Sequence, residues 1–369
     1  MTSSTDPRPR VAHLRPCGPP TLLYSMLDGT PARNLLGYGD PCVARVDGRW
    51  TMFVGGFQLD LRNNLYALQL PEGDELDSPA WSFVTAPGRP GRAQPLVPQP
   101  RRDEWDHHGL HTPSYVRGRV GDAEVERIYY AGRGSYRVVD NVAPYGIGVM
   151  TRRDGTWARH PTPILRGSPT SPNVLEPKAA YLNGKWRVWY TTTPQEAGKR
   201  APVRYRIEYV ESDDGVTGWS APVVVFDEEE GYYDAAVTAS PPGAAGAYTM
   251  LLCRSTNLYG RSPFPEQGMW LAAGGEEFGA RANWQIAASP LIRCDAAAPE
   301  WYRHGPFGPS LVALDRPTRR GVAACVFFSG VDSRRNWARL ALRNLGRGKL
   351  PPPPAPFFFT LGRLDLTPG

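Results

Sequence analysis

Residues 175–193, LEPKAAYLNGKWRVWYTTT, decide how the rest of the chain is read. They form two short strands around a tight turn. Asn183-Gly184 supplies the turn, because a two-residue hairpin loop needs φ > 0 at both central positions and these residues tolerate it. Beyond the turn the chain alternates: Trp186, Val188 and Tyr190 fall on one face, Arg187 and Trp189 on the other, the two-residue period of a strand. An acidic residue followed by proline, Glu176-Pro177, opens the first strand.

The same plan recurs along the chain. Asp40-Pro41 opens DPCVARVDGRWTMFVGG, with Asp47-Gly48 as its turn. Copies with longer turns begin at Thr112-Pro113 (TPSYVRGRVGDAEVERIYYAG), at Asp234 (DAAVTASPPGAAGAYTMLLC) and at Gly308-Pro309 (GPSLVALDRPTRRGVAACVFFSG). At 369 residues the chain exceeds the usual size of one domain, and length alone suggests two. Five repeats of roughly 65 residues closed into a ring make it one domain instead. Residues 1–20 are expected to be a flexible N-terminal segment. Residues 21–27 (TLLYSML) are the candidate for a strand that joins the last unit and closes the ring. The units span about 37–84, 106–165, 173–226, 232–292 and 301–345, with a closing strand at 357–366 after the stiff PPPPAP stretch. Residues 87–104 are a Pro/Arg-rich connection, too rich in breakers for the interior of a strand or helix. No long amphipathic helix is evident. Trp81, Trp157, Trp219 and Trp284 occupy comparable outer places in four units and are expected to pack between them.

Composition narrows the function. Gly and Pro, 39 of each, suit many short strands and turns. Lys and Arg exceed Asp and Glu by 42 to 36, but the arginines are spread without the basic block of a nucleic-acid binder. The charge therefore reads as solubility or as affinity for an anionic ligand. Cys17, Cys42, Cys253, Cys294 and Cys325 show no CxxC spacing, so neither a disulfide framework nor a zinc site is expected. The N-terminus lacks the apolar run of a secretory signal, and no stretch approaches the ~18 apolar residues of a membrane helix. The expectation is a cytoplasmic protein with reduced thiols that binds a small molecule, with no nucleic-acid or membrane partner. There is no GxSxG, no P-loop and no strand-linked GxGxxG, which removes serine hydrolase, P-loop and dinucleotide chemistry.

Units whose first strands open with Asp-Pro or Glu-Pro resemble the five-bladed β-propeller glycoside hydrolases, among them the arabinanase/xylosidase, invertase/levansucrase and mannoside-phosphorylase families. GDPCVARVDGRWTMF, WDHHGLHTPSYV with IYYAG, LEPKAAYLNGKWRVWY and YRIEYVESDDGVTGW carry the resemblance, which extends from about 37 to 345. It implies an all-β fold, a single-domain five-bladed β-propeller with four-stranded antiparallel blades. It also implies two carboxyl groups across a glycosidic bond, one donating a proton to the leaving oxygen and the other attacking the sugar or activating water. By resemblance Asp40 is the base or nucleophile and Glu176 the acid, and no cofactor is implied. The two are expected to face each other across the channel mouth at or beyond the spacing of inverting enzymes, with the pKa of Glu176 raised. Those families usually place a third acidic residue in blade two, where this chain has Thr112 and Ser114. Asp106 and Asp234 are the candidates to replace it.

Four of the six histidines, His107, His108, His111 and His304, fall in rim loops of blades two and five. They are candidates for substrate hydrogen bonding or acid/base work, or are plain loop histidines. A metal site is the weaker reading, because HHxxH here lacks a helical context. Tyr233 beside Asp234 is a further substrate-binding candidate. Arg133 and Arg137 are candidates to bind an acidic substrate group, or are solvated surface. Three functions remain open: a glycosidase-like enzyme, a propeller repurposed for cyclisation, elimination or rearrangement of a specialised metabolite, and a non-catalytic carbohydrate-binding propeller.

Overall fold

The computed structural model describes residues 14–136, 142–193, 204–240, 246–254, 266–333, 337–349 and 357–368. Almost all regular structure is antiparallel strand. After β1 (Leu14–Pro16) and β2 (Thr21–Ser25), a first meander runs β3 (Leu35–Val46), β4 (Arg49–Gln58), β5 (Asn63–Gln69) and β6 (Ser82–Phe83). A second runs β7 (Gly109–Val120), β8 (Ala123–Arg133), β9 (Gly146–Arg153) and β10 (Thr156–Arg159), and a third β11 (Asn173–Leu182), β12 (Lys185–Thr193), β13 (Arg206–Ser212) and β14 (Val223–Phe226). The fourth comprises β15 (Tyr232–Ala239), β16 (Tyr248–Arg254), β17 (Gln267–Gly274), β18 (Gln285–Ile286) and β19 (Ile292–Cys294). The last comprises β20 (Pro306–Ala313), β21 (Ala324–Ser333) and β22 (Phe357–Pro368). The first two meanders share one sheet through a single parallel pair, Asn63 with Gly109; the others are separate sheets.

The turns form for the reason read in the sequence. Asp47-Gly48, Asp154-Gly155 and Asn183-Gly184 all have positive φ, from 48° to 77°. That handedness matches the twist of the flanking strands. In β12 both faces are buried. Trp186, Val188 and Tyr190 pack with Val116 and Tyr129 of the second meander, whereas Trp189 packs with Tyr248 and Phe278 of the fourth. A sheet covered on both faces is a layer in a stack, and the outer tryptophans glue the stack together. Trp81 meets Phe327 edge-on with ring centres 5.8 Å apart, Trp157 meets Phe53 at 6.0 Å, and Trp219 meets Tyr129 at 6.2 Å. Trp284 lies in one cluster with Trp189 and Tyr209. Each thus packs on the meander before its own.

The first strands lie side by side. β3 contacts β7, β7 contacts β11, β11 contacts β15, β15 contacts β20, and β20 contacts β3 again. The two chain ends share a sheet, because β1 and β2 pair antiparallel with β22. Strand β1 lies inside the segment expected to be flexible, its backbone pairing with residues 366–368. Helix α1 (Trp337–Gly346), which the sequence reading did not foresee, follows β21 and buries Leu340, Ala341 and Asn344. Three inward positions on one short stripe are too few for the pattern to stand out from a loop. The polyproline stretch and Arg137 lie outside the described residues. No helix among the described residues is long and apolar enough to cross a membrane.

Candidate functional site

Every first strand carries an irregularity at the same place. Register shifts fall between Gly39 and Cys42, His111 and Ser114, Leu175 and Lys178, Tyr232 and Asp234, and Phe307 and Ser310. Each inserts one extra residue, a bulge that turns a side chain out of the strand's alternation. Asp40, Thr112 and Glu176 sit in these bulges at φ 54°, 50° and 51°, and Gly308 at 60°. Positive φ is costly for residues with a side chain, most of all for a β-branched threonine, and the following proline narrows the choice further. Such strain concentrates at functional sites.

The bulges of β3, β11 and β15 bring three carboxyls into one electrostatic unit. The Asp40 N–H donates to Ser329 Oγ at 2.7 Å, and its carboxyl accepts the Thr112 N–H. Gly308 leaves room for it, since a Cβ there would stand 3.2 Å from Asp40 Oδ1. Asp234, 1% exposed, accepts the Gly308 N–H on Oδ2 at 3.0 Å. Lys178, also buried, donates from Nζ to the Pro309 carbonyl at 3.0 Å and lies 3.8 Å from Asp234 Oδ2. Asp40 Oδ1, Asp234 Oδ1 and Glu176 Oε2 are buried with no hydrogen-bond partner among the described residues. Native interiors rarely leave such atoms unpaired, so three carboxyl oxygens together single this place out as the candidate site.

Burial sets the proton affinities. It pushes Asp40 up to about 6 against the opposing pull of Lys178 and the Thr112 N–H. It pushes Asp234 up to about 7, with Lys178 opposing and Asp40 adding to the rise. Glu176 is raised well above the usual carboxylate range by burial, then by the charges of Asp234 and Asp40. Of the three, Glu176 is therefore the carboxyl most strongly biased toward its protonated form. The phenol of Tyr233 is likewise pushed far up by burial and then by Glu176 and Asp234, which keeps it a hydrogen-bond donor.

The other sequence candidates divide. His111 precedes Thr112, meets Tyr145 edge-on at 5.2 Å, and has a buried Nε2 without a partner among the described residues. Burial, helped by the nearby Arg133 charge, lowers its pKa to about 3, so it is a neutral imidazole. Arg133 bonds Asn63 Oδ1 at 2.5 Å and the hydroxyl of Tyr145, which itself feels Glu176 and Asp40. His111 and Arg133 thus border the carboxyl cluster. His107 and His108 lie farther out: His107 Nδ1 bonds the Glu104 carbonyl at 2.7 Å, and His108 lies between the rings of His107 and the exposed Tyr136, at 4.3 and 4.0 Å. His304 is half-buried in the turn before β20. Asp106 does not take the place of a third site carboxyl. Its Oδ1 accepts from Arg159 at 2.9 Å and its Oδ2 from the Tyr130 hydroxyl at 2.9 Å, so both oxygens are engaged away from Asp40 and Glu176. Among the described residues no three His, Cys, Asp or Glu side chains are arranged to hold a metal ion.

Sequence reasoning missed Lys178, Gly308 and Ser329. A signal for Lys178 was present, since it lies two residues past Glu176 in the same strand. A cavity of ≈ 470 Å³ lies instead around the Asp47-Gly48 turn, at the opposite end of β3. Its Arg152 is engaged by Asp47 and Glu126 and its Arg117 by Glu124, so it is an ion-pair surface rather than part of this site.

No family model matches the sequence, and no curated protein matches it. Solved structures do. The catalytic domain of a GH62 α-L-arabinofuranosidase from Coprinopsis cinerea aligns over 98% of both chains at TM-score 0.57 and 14% identity. A family 117 glycoside hydrolase from Zobellia galactanivorans aligns over 96% of this chain and 90% of its own at 0.58 and 12%. A thermostable family-43 glycoside hydrolase aligns over 90% and 92% at 0.56 and 12%. The chain therefore has the all-β propeller-type fold of these glycoside hydrolases, over nearly the whole of its length.

Proposed function

We propose that the chain is a five-bladed propeller enzyme of glycosidase type, acting on a glycoside or sugar-like small molecule with Glu176 as proton donor and Asp40 as base. The observation that carries this reading is the convergence of Asp40, Glu176 and Asp234, each with an unpartnered buried oxygen. The cyclic contacts of the five first strands support the blade count. In the proposed reaction Glu176 gives its proton to the leaving oxygen as the glycosidic C–O bond breaks. Asp40 takes a proton from the water that forms the new C–O bond, leaving two products and the carboxyls exchanged in protonation state. Asp40 and Glu176 come from blades separated by another, which favours room for that water and hence inversion. Neutral His111 and Arg133 beside Tyr145 would orient substrate hydroxyls.

A second reading keeps the same acid and base but no water: elimination or cyclisation of an oxygen-rich metabolite. Thr112, in the bulge where related enzymes are expected to hold a carboxylate, favours it. A panel of aryl glycosides with leaving groups of graded acidity tests the first reading. Glu176→Gln should lose activity on poor leaving groups and retain it on good ones, which need little protonation. Equal loss across the panel would remove Glu176 as the acid. Retention of full turnover in Asp40→Asn would remove the pair, and ligand binding without turnover in the wild type would leave a binding propeller.

A further inference from the structure

Where neighbouring first strands meet, three junctions are tied in one way. Ser310 Oγ accepts the Val43 N–H at 2.9 Å, Cys42 Sγ the Tyr115 N–H at 3.1 Å, and Ser114 Oγ the Ala179 N–H at 2.8 Å. In each case the side chain two residues past the bulge residue takes the N–H three residues past the bulge residue in the neighbouring strand. Position 178 belongs to that series and holds a lysine, which has no acceptor to offer. Its side chain reaches instead past β15 to the Pro309 carbonyl and to Asp234. A buried ammonium costs several kcal/mol unless charge and hydrogen bonds offset it. A place built for a small acceptor is thus occupied by a fixed cation pointing into three carboxyls.

We propose, resting on the acid/base reading above, that Lys178 is the positioning residue of this site, its charge keeping Asp40 ionised beside a protonated Glu176. Thr112, where a second-blade carboxylate is expected, offers Asp40 only its N–H, and a carboxylate there would raise the proton affinity of Asp40 where a cation lowers it. The groups facing Lys178 are Asp40 and Cys42 from β3, Glu176 on its own strand, Asp234 from β15 and Cys253 from β16. Burial raises both thiols, so they stay neutral and the carboxyls dominate. Burial alone would lower the Lys178 pKa, but Asp234 and Glu176 outweigh it and raise it, which keeps the amine charged and not nucleophilic.

The test is a ¹³C NMR titration of the side-chain carboxyls in the free, full-length protein, with the Asp40 resonance assigned by its loss in Asp40→Asn. In Lys178→Met the Asp40 midpoint should rise by about one pH unit or more, a tenfold change in proton affinity. In Lys178→Arg it should return to within a few tenths of the wild-type value. An unchanged midpoint in folded Lys178→Met, or an Arg variant that shifts as far as the Met variant, overturns the proposal. Should Lys178→Met fail to fold, Lys178→Met/Asp234→Asn removes the pair together and is compared with Asp234→Asn alone; the same upward shift is expected, and identical midpoints overturn it. The titration needs no substrate, so its failure counts against Lys178 alone. Silence of the aryl glycoside panel with the shift present counts against the glycosidase reading.

Discussion

Asp234 shows how one residue can carry a cost that pH reveals. Its carboxyl ordinarily titrates near 3.8 and in the fold near 7, raised by burial. A raised acid stabilises the fold fully below its unfolded pKa, and that contribution is lost as pH climbs through the folded value. Between about pH 4 and 7 the native state holds more protons than the unfolded chain, so this group makes stability fall with pH. Asp234→Asn does not titrate. Its stability relative to wild type should therefore improve between pH 4 and 8, by up to roughly 4 kcal/mol, at about 1.4 kcal/mol per pKa unit over the rise from 3.8 to about 7. Urea unfolding at both pH values measures the difference, and a pH-independent offset would show that Asp234 titrates in the fold as it does in the unfolded chain. The acid-proline pairs at Asp40 and Glu176 were legible in the sequence as a local pair of residues, read there as strand openings, whereas they lie inside β3 and β11, in bulges. Asp234 has no proline after it and could be read only by analogy with its neighbours. Lys178 stands two residues past Glu176 in the same strand, but its role was not legible, since it depends on Pro309, 131 positions away. Asp106 was misread for the same reason in reverse, because Arg159, 53 positions on, engages it.

At the scale of elements, the unit of stability is the seam between two meanders, and β12 holds the best defined one. Trp186 is fully buried there, its Nε1–H donating to the Arg119 carbonyl at 3.0 Å and the Arg127 guanidinium lying 4.4 Å from its ring. Gly215, at φ 69°, is required beside it, for a Cβ there would stand 2.6 Å from Trp186 Cγ. Trp186→Ala should cost about 3–5 kcal/mol, the range for truncating a buried aromatic. A loss within about 0.5 kcal/mol, as at surface positions, would break the assignment of faces. The period-two pattern of β12 revealed both faces because strands report their own sidedness. Helix α1 offered no comparable signal. Its Leu342 and Leu345 are exposed, so apolar residues fall on both its sides and mask the buried stripe of Leu340, Ala341 and Asn344.

For the whole molecule, the question is what holds the two chain ends in one sheet. Strand β2 pairs with β22 from Thr21 with Arg363 to Ser25 with Thr360, with one bulge between Leu22 and Tyr24, and the residues around it are anchored in the core. Tyr24 stacks on Tyr38 with ring centres 3.9 Å apart, and Met26 fills the space beside Gly37, where a Cβ would stand 3.0 Å from its sulfur. These contacts join the start of the chain both to β22 and to the first meander, so they hold the last sheet against the first. Deleting residues 1–25 removes β1, β2 and the Tyr24 stack, and leaves β22 as an open edge that invites pairing between molecules. Burying one tyrosine and the ladder bonds of a short strand together contributes on the order of 3–5 kcal/mol. The truncated protein should therefore melt roughly 5 °C lower, given little more than one degree per kcal/mol for a chain of about this size. It should also unfold in two steps by tryptophan fluorescence, as the seam between last and first meanders opens before the rest. Adding a peptide of residues 14–25 in trans should restore a single transition. A truncated protein that melts as one unit at the original temperature would mean that the contact of β20 with β3 closes the ring by itself.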